Sequence, residues 1–174
     1  QQFNKSKLFL PLGIFIIILS TLLFEVSLLR IFSVLLSSNL AFLAISVTLF
    51  GLAFGGILVY LFPKYFSEEN LTKNLRLYSL LYPLALIGFI GFLLIASIQP
   101  KITSPLTSLM VFVLTTIPFV LANIVLTLIF KYKSAQINKL YFFDLVGAGL
   151  GVILAVILLS TTNGLNVVIA AGLI

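Results

Sequence analysis

The sequence contains no cysteine, no histidine and no tryptophan. Those absences exclude Cys/His zinc sites, histidine-ligated haem, Ser-His-Asp triads and cysteine nucleophiles within this chain. No catalytic residue, metal ligand set or cofactor site is expected in it. Charge is also scarce: 8% of the 174 residues are charged and only four are acidic, where a soluble domain carries about 25%. Hydrophobic residues make up 61% and the mean hydropathy is +1.30. This is the composition of a polytopic membrane protein, so the lipid bilayer is the first expected partner.

The net charge is +6, but the ten Lys and Arg residues are dispersed between long apolar runs. They are therefore topology signals, and no nucleic-acid partner is expected. The bilayer core takes about 20 apolar residues per helix. That length predicts an all-α transmembrane bundle, a single domain over residues 1–174, with five full spans at 8–32, 40–62, 75–98, 106–130 and 140–160. A sixth starts at 165 and reaches only Ile174, too few residues to cross. The short sixth span and the initial Gln1 lead us to expect a fragment of a longer chain.

A cytoplasmic N-terminus places Lys5, Lys7, Lys64, Lys73, Arg76, Lys131, Lys133 and Lys139 on one side, against Arg30 and Lys101 on the other. That asymmetry satisfies the positive-inside rule. Glu68 and Glu69 fall in the longest polar loop, "KYFSEENLTKNLR", which reads as a solvated connector. Pro118 predicts a bend in the fourth span, either ordinary membrane-helix curvature or a hinge. Asn123 is expected to bond to a neighbouring helix.

Two spans carry small-residue faces. Gly51 and Gly55 continue a stripe from Ala44 and Thr48, while Gly147 and Gly151 share a sector with Asp144, Ala148 and Ala155. Such G-x-x-x-G faces let helix backbones approach closely, so the second and fifth helices are predicted as the close-packed core. Setting Gly51 against Gly147 also places Thr48 opposite Asp144. Since the two helices run in opposite senses, that match raises the alternative of a three-plus-three inverted repeat.

Glu25 and Asp144 are the two acids within spans. A carboxylate at membrane depth serves either a functional cation, proton or amine site, or a structural bond. For Glu25 the structural partners are a hydroxyl or Arg30, although Arg30 lies about 140° away around the helix. For Asp144 they are Lys64, Lys131, Lys133 and Lys139, or the dipole at the start of its helix. The ligand candidates are thus Glu25, Asp144 and Arg30. "VGAGLG" lies within an apolar span with no strand before it, which rules it out as a nucleotide loop.

Three segments in register resemble the membrane domain of bacterial spermidine synthase-like proteins: "LLFEVSLLRIFSVLLSSNLAFLAISVTLFGLAFGG", "IPFVLANIVLTLIF" and "LYFFDLVGAGLGVILAVILL". The resemblance implies an inner (plasma) membrane location and a separate soluble aminopropyltransferase-like domain, absent from this chain. It implies aminopropyl transfer from decarboxylated S-adenosylmethionine to a polyamine in that domain. This chain would anchor or assemble the enzyme or handle polyamine, with Glu25 and Asp144 as the matched acids. The alternatives are a small transporter or binding subunit for a cationic solute, and a structural subunit that packs against other membrane proteins.

Overall fold

The computed structural model describes residues 2–35, 42–98 and 105–174. Lys101, and residues 40 and 41 at the start of the second expected span, lie outside them. Every described element is helical: α1 (Gln2–Leu35), α2 (Phe42–Leu61), α3 (Leu71–Ile98), α4 (Pro105–Tyr132), α5 (Ile137–Thr161) and α6 (Gly164–Leu173), with a 3-10 turn at Ser134–Gln136 before α5. The first five are long and apolar enough to cross a membrane. Helices dominate because hydrocarbon offers no partner to backbone N–H and C=O groups, which an α-helix satisfies within itself.

Several ends differ from the expected spans because polarity ends a membrane span without ending a helix. α3 begins at Leu71 and so carries Lys73 and Arg76 on its first turns. The connector before it is anchored as well as solvated. Phe66 is buried against Ile124, Leu128 and Leu71, and its carbonyl oxygen accepts a bond of 2.6 Å from the Tyr132 hydroxyl. The Asn74 side-chain amide donates to the Tyr65 carbonyl at 2.9 Å. Glu68 and Glu69 remain exposed. α4 continues unbroken through Pro118.

α1 and α4 form the centre, each burying 50% of its most apolar window, whereas α5 buries 17%. Their shared core includes Phe24, whose ring stacks on Phe119 of α4 at 5.0 Å and meets Phe89 of α3 edge-on at 5.3 Å. The exposed apolar residues of α5, such as Leu150, Ile153 and Ile157, face outward where lipid would lie. The helix senses alternate along the chain. Consequently Lys64, Lys73, Arg76, Lys131, Lys133 and Lys139 gather at the end where α2 and α4 finish and α3 and α5 start, opposite Arg30.

The two glycine faces do not form a common core. α2 packs chiefly on α4, and α5 chiefly on α1, each pair parallel although its members are not consecutive. A Cβ on Gly51 would lie 2.6 Å from the Phe119 Cβ, and one on Gly55 would lie 2.7 Å from the Val120 oxygen. On α5, a Cβ at Gly147 would lie 2.8 Å from the Phe15 oxygen, and one at Gly151 would lie 2.9 Å from the Leu19 oxygen. A small face specifies that a partner approaches closely; it does not specify which partner.

These distances lead to a contrast between glycines. Gly51→Ala or Gly151→Ala forces helix backbones apart and is expected to cost about 1–3 kcal/mol. At Gly88 an alanine methyl would meet nothing within 4 Å beyond the adjoining backbone of its own helix. Gly88→Ala should therefore gain up to about 1 kcal/mol from the better helix former. Thermal unfolding of the three variants in detergent checks this; equal shifts would remove the close-approach role.

Candidate functional site

Near the middle of the bundle, α1, α3 and α6 meet around buried polar groups. Ser20 donates to the Ala171 carbonyl oxygen at 2.5 Å, which uses its one proton. The Tyr82 hydroxyl, 2.8 Å from the Ser20 oxygen, must therefore act as the donor in their bond. Thr21 donates to Ile17 one turn earlier at 2.7 Å and lies 3.4 Å from the Tyr82 oxygen. Ser20, Thr21 and Tyr82 are all buried. Ser20 and Tyr82 also line a cavity of about 400 Å³ with Gly13, Ser79, Pro83 and Gly172. Neither residue stood out in the sequence. Their signal was a serine beside Thr21 and a tyrosine beside Pro83, both ordinary in membrane helices.

Glu25 sits one turn beyond Thr21 toward the Arg30 end of α1, half-buried. Ile14, Ile18, Thr21 and Glu25 occupy a sector of about 60° on that helix. Ile14 and Ile18 pack in a cluster with Val125, Leu126 and Ile129, so Glu25 lies on the side that α1 turns toward α4. Among the described residues its carboxyl has no hydrogen-bond or ion-pair partner. Neither structural partner expected for it is engaged. Thr21 bonds within its own helix, and Arg30 is exposed at the rim of a separate cavity of about 330 Å³ with Asn163, Gly164 and Leu93.

Asp144 is half-buried on α5 and likewise has no ion pair among the described residues. The expected lysine bridges are absent from it for geometric reasons. Its face is directed at α1, whereas Lys131 and Lys133 sit exposed at the end of α4. Lys139 precedes it by about 140° around the helix. Glu25 and Asp144 lie in different halves of the bundle and do not form a paired-carboxylate centre. Asn123 donates across the interface to the Leu52 carbonyl of α2, as its position in the fourth span suggested.

Among the described residues no three Asp or Glu side chains gather as metal ligands. What the arrangement offers chemically is a single half-buried carboxyl group beside the central crossing of α1 and α4, near hydroxyl groups. An ammonium group fits such a carboxylate, because pairing removes the cost of leaving the charge unmatched at membrane depth. No protein-family model, curated protein or solved structure matches the chain. The functional reading therefore rests on the residues and their geometry.

The hydroxyl cluster generates its own test. Tyr82→Phe deletes a donor yet leaves the Ser20 bond to Ala171 intact, so a loss of about 1 kcal/mol is expected. Ser20→Ala leaves both the Tyr82 hydroxyl and the Ala171 oxygen without that partner and should cost more. Unfolding midpoints of the two variants, compared in the same detergent, check the order.

Proposed function

We propose that this chain is the membrane domain of a spermidine synthase-like protein and that it binds an organic cation of the polyamine class through Glu25. One observation carries the reading: a carboxylate within a membrane span that has no internal partner among the described residues. Such a group is retained at a cost unless something outside the chain's own side chains uses it. The resemblance of three segments in register supports a polyamine as the cation and the bacterial inner membrane as the location, and the Lys/Arg asymmetry supports a cytoplasmic lysine-rich end. On this reading aminopropyl transfer belongs to a separate soluble domain, as the resemblance implies.

A small carrier for a cationic solute is the competing reading, favoured by the central position of Glu25 between α1 and α4. Both readings place the amine on the same carboxylate and differ in whether the chain works together with a separate aminopropyl-transferring domain. A purely structural subunit would leave Glu25 without a ligand.

Hydrogen bonds to a charged group contribute about 1.5–3 kcal/mol, or about 10- to 100-fold in affinity. Glu25→Gln, which keeps the shape and removes the charge, should weaken spermidine binding by that factor with the unfolding midpoint held. Equilibrium dialysis of spermidine against the protein in nanodiscs measures it. Unchanged affinity with lowered thermal stability would make Glu25 structural.

A further inference from the structure

The correspondence between α2 and α5 extends beyond their glycines. The shift that takes Gly51 to Gly147 also takes Ala44, Gly55 and Val59 to Leu140, Gly151 and Ala155. Every buried residue of α5 is thus the counterpart of a buried residue of α2. The helices they rest on follow a second common shift. Gly51 and Gly55 close on the carbonyl oxygens of Thr116 and Val120, and Gly147 and Gly151 on those of Phe15 and Leu19. The Cβ of Asn123 completes the Gly55 contact, and that of Leu22 completes the Gly151 contact. A single shift takes Thr116, Val120 and Asn123 to Phe15, Leu19 and Leu22.

Three further helix contacts obey the same exchange, whereas α1 with α2 and α5 with α6 touch without an equally extensive counterpart. α3 packs on α4 as α6 packs on α1, while α1 with α4 and α3 with α6 are contacts that map onto themselves. The stacked pair of Phe24 and Phe119 maps onto Val125 and Ile18, which share one buried cluster. The midpoint of both pairs is Thr21 on α1 and Ala122 on α4, and both residues are buried. α1 and α4 run in opposite senses, so the axis relating them lies in the plane of the membrane.

We infer that the bundle consists of two inverted copies of a three-helix unit, α1 to α3 and α4 to α6, which exchange conformations to carry the bound cation across the membrane along the α1–α4 interface. Inverted repeats place their substrate sites near the midplane, at the interface between the repeats. Here that interface passes through Thr21 and Ala122, and Glu25 lies one turn away. The two halves are alike in packing and unlike in polarity. The counterpart of Glu25 is Leu126, buried with Ile14, Ile18, Val125, Ile129 and Leu140. The α1–α4 interface therefore carries its carboxylate on the Arg30 side and an apolar seal on the lysine-rich side. Exchange of the two halves opens that seal and closes the equivalent contacts around Glu25. The nature of the cation rests on the function proposed above; the exchange itself rests on the repeat.

The chain contains no cysteine, so single-cysteine reporters are read without background. Thr115 and Ile14 are counterparts, both fully buried, and Leu126 gives a second reporter on the sealed side. The variants Thr115→Cys, Ile14→Cys and Leu126→Cys are placed in oriented proteoliposomes and exposed to a membrane-impermeant maleimide from each side, with and without spermidine. Thr115→Cys should label from the Arg30 side, and Ile14→Cys or Leu126→Cys from the lysine-rich side. Spermidine should change the two groups in opposite directions by about threefold or more. Two reporters on the sealed side keep the test valid if one variant fails to fold. Folded protein in which neither sealed-side reporter labels under any condition overturns the inference, even where Glu25→Gln abolishes spermidine binding. Reciprocal labelling that responds to another cation, with spermidine binding indifferent to Glu25→Gln, retains the exchange and overturns the polyamine assignment.

Discussion

The bundle depends on the close approach of helix backbones across four glycines. In hydrocarbon, burying apolar side chains against one another yields little, because lipid tails solvate them equally well. Association must come from contact distance. Gly51, Gly55, Gly147 and Gly151 each leave room for a carbonyl oxygen or Cβ of the facing helix at a separation no side chain tolerates. Those contacts fix α2 on α4 and α5 on α1, and the central crossing of α1 with α4 is held between them. The position of Glu25 beside that crossing is a result of this packing.

Polar groups in the interior are otherwise neutralised locally. Thr21, Ser27, Thr48, Thr115 and Thr116 return their hydroxyl protons to the carbonyl four residues earlier, which removes a polar group without engaging another helix. Ser20, Tyr82 and Asn123 bond across helices instead. Against this background Glu25 and Asp144 are the exceptions, since neither carboxyl is matched among the described residues. Asp144 stands where α2 has the buried Thr48, near the lysine-rich end, while Glu25 stands near the centre. Depth separates their electrostatic cost, and it makes Glu25 the stronger ligand candidate.

The five spans were legible in the sequence because hydropathy over about 20 residues is a direct measure of what the bilayer accepts. Helix ends were less so, since Lys73 and Arg76 are too polar for the membrane core yet lie within α3. The pairing of helices was not legible at all. The glycine stripes of α2 and α5 suggested each other, but a stripe encodes proximity without identity, and the true partners, α4 and α1, carry ordinary residues such as Val120 and Leu19 at the contact. The connector before α3 looked wholly solvated because its charges outnumber Phe66, whose burial only the fold reveals. Ser20 and Tyr82 are 62 positions apart in the chain, a separation across which no local pattern operates.

The crossed pairing of the helices has a consequence for how the protein is made. The glycine face of α2 finds its seat only on α4, and the matching surface of α1 is filled only by α5. A nascent chain that has inserted its first three helices holds two unmatched faces in lipid, one waiting for a seat and one waiting for an occupant. Neither half completes its own packing, so the two interlock as they assemble. Release of the early helices from the insertion machinery is then coupled to synthesis of the later ones, and a chain halted after α3 would present its unpaired glycine stripe to any neighbouring helix in the membrane.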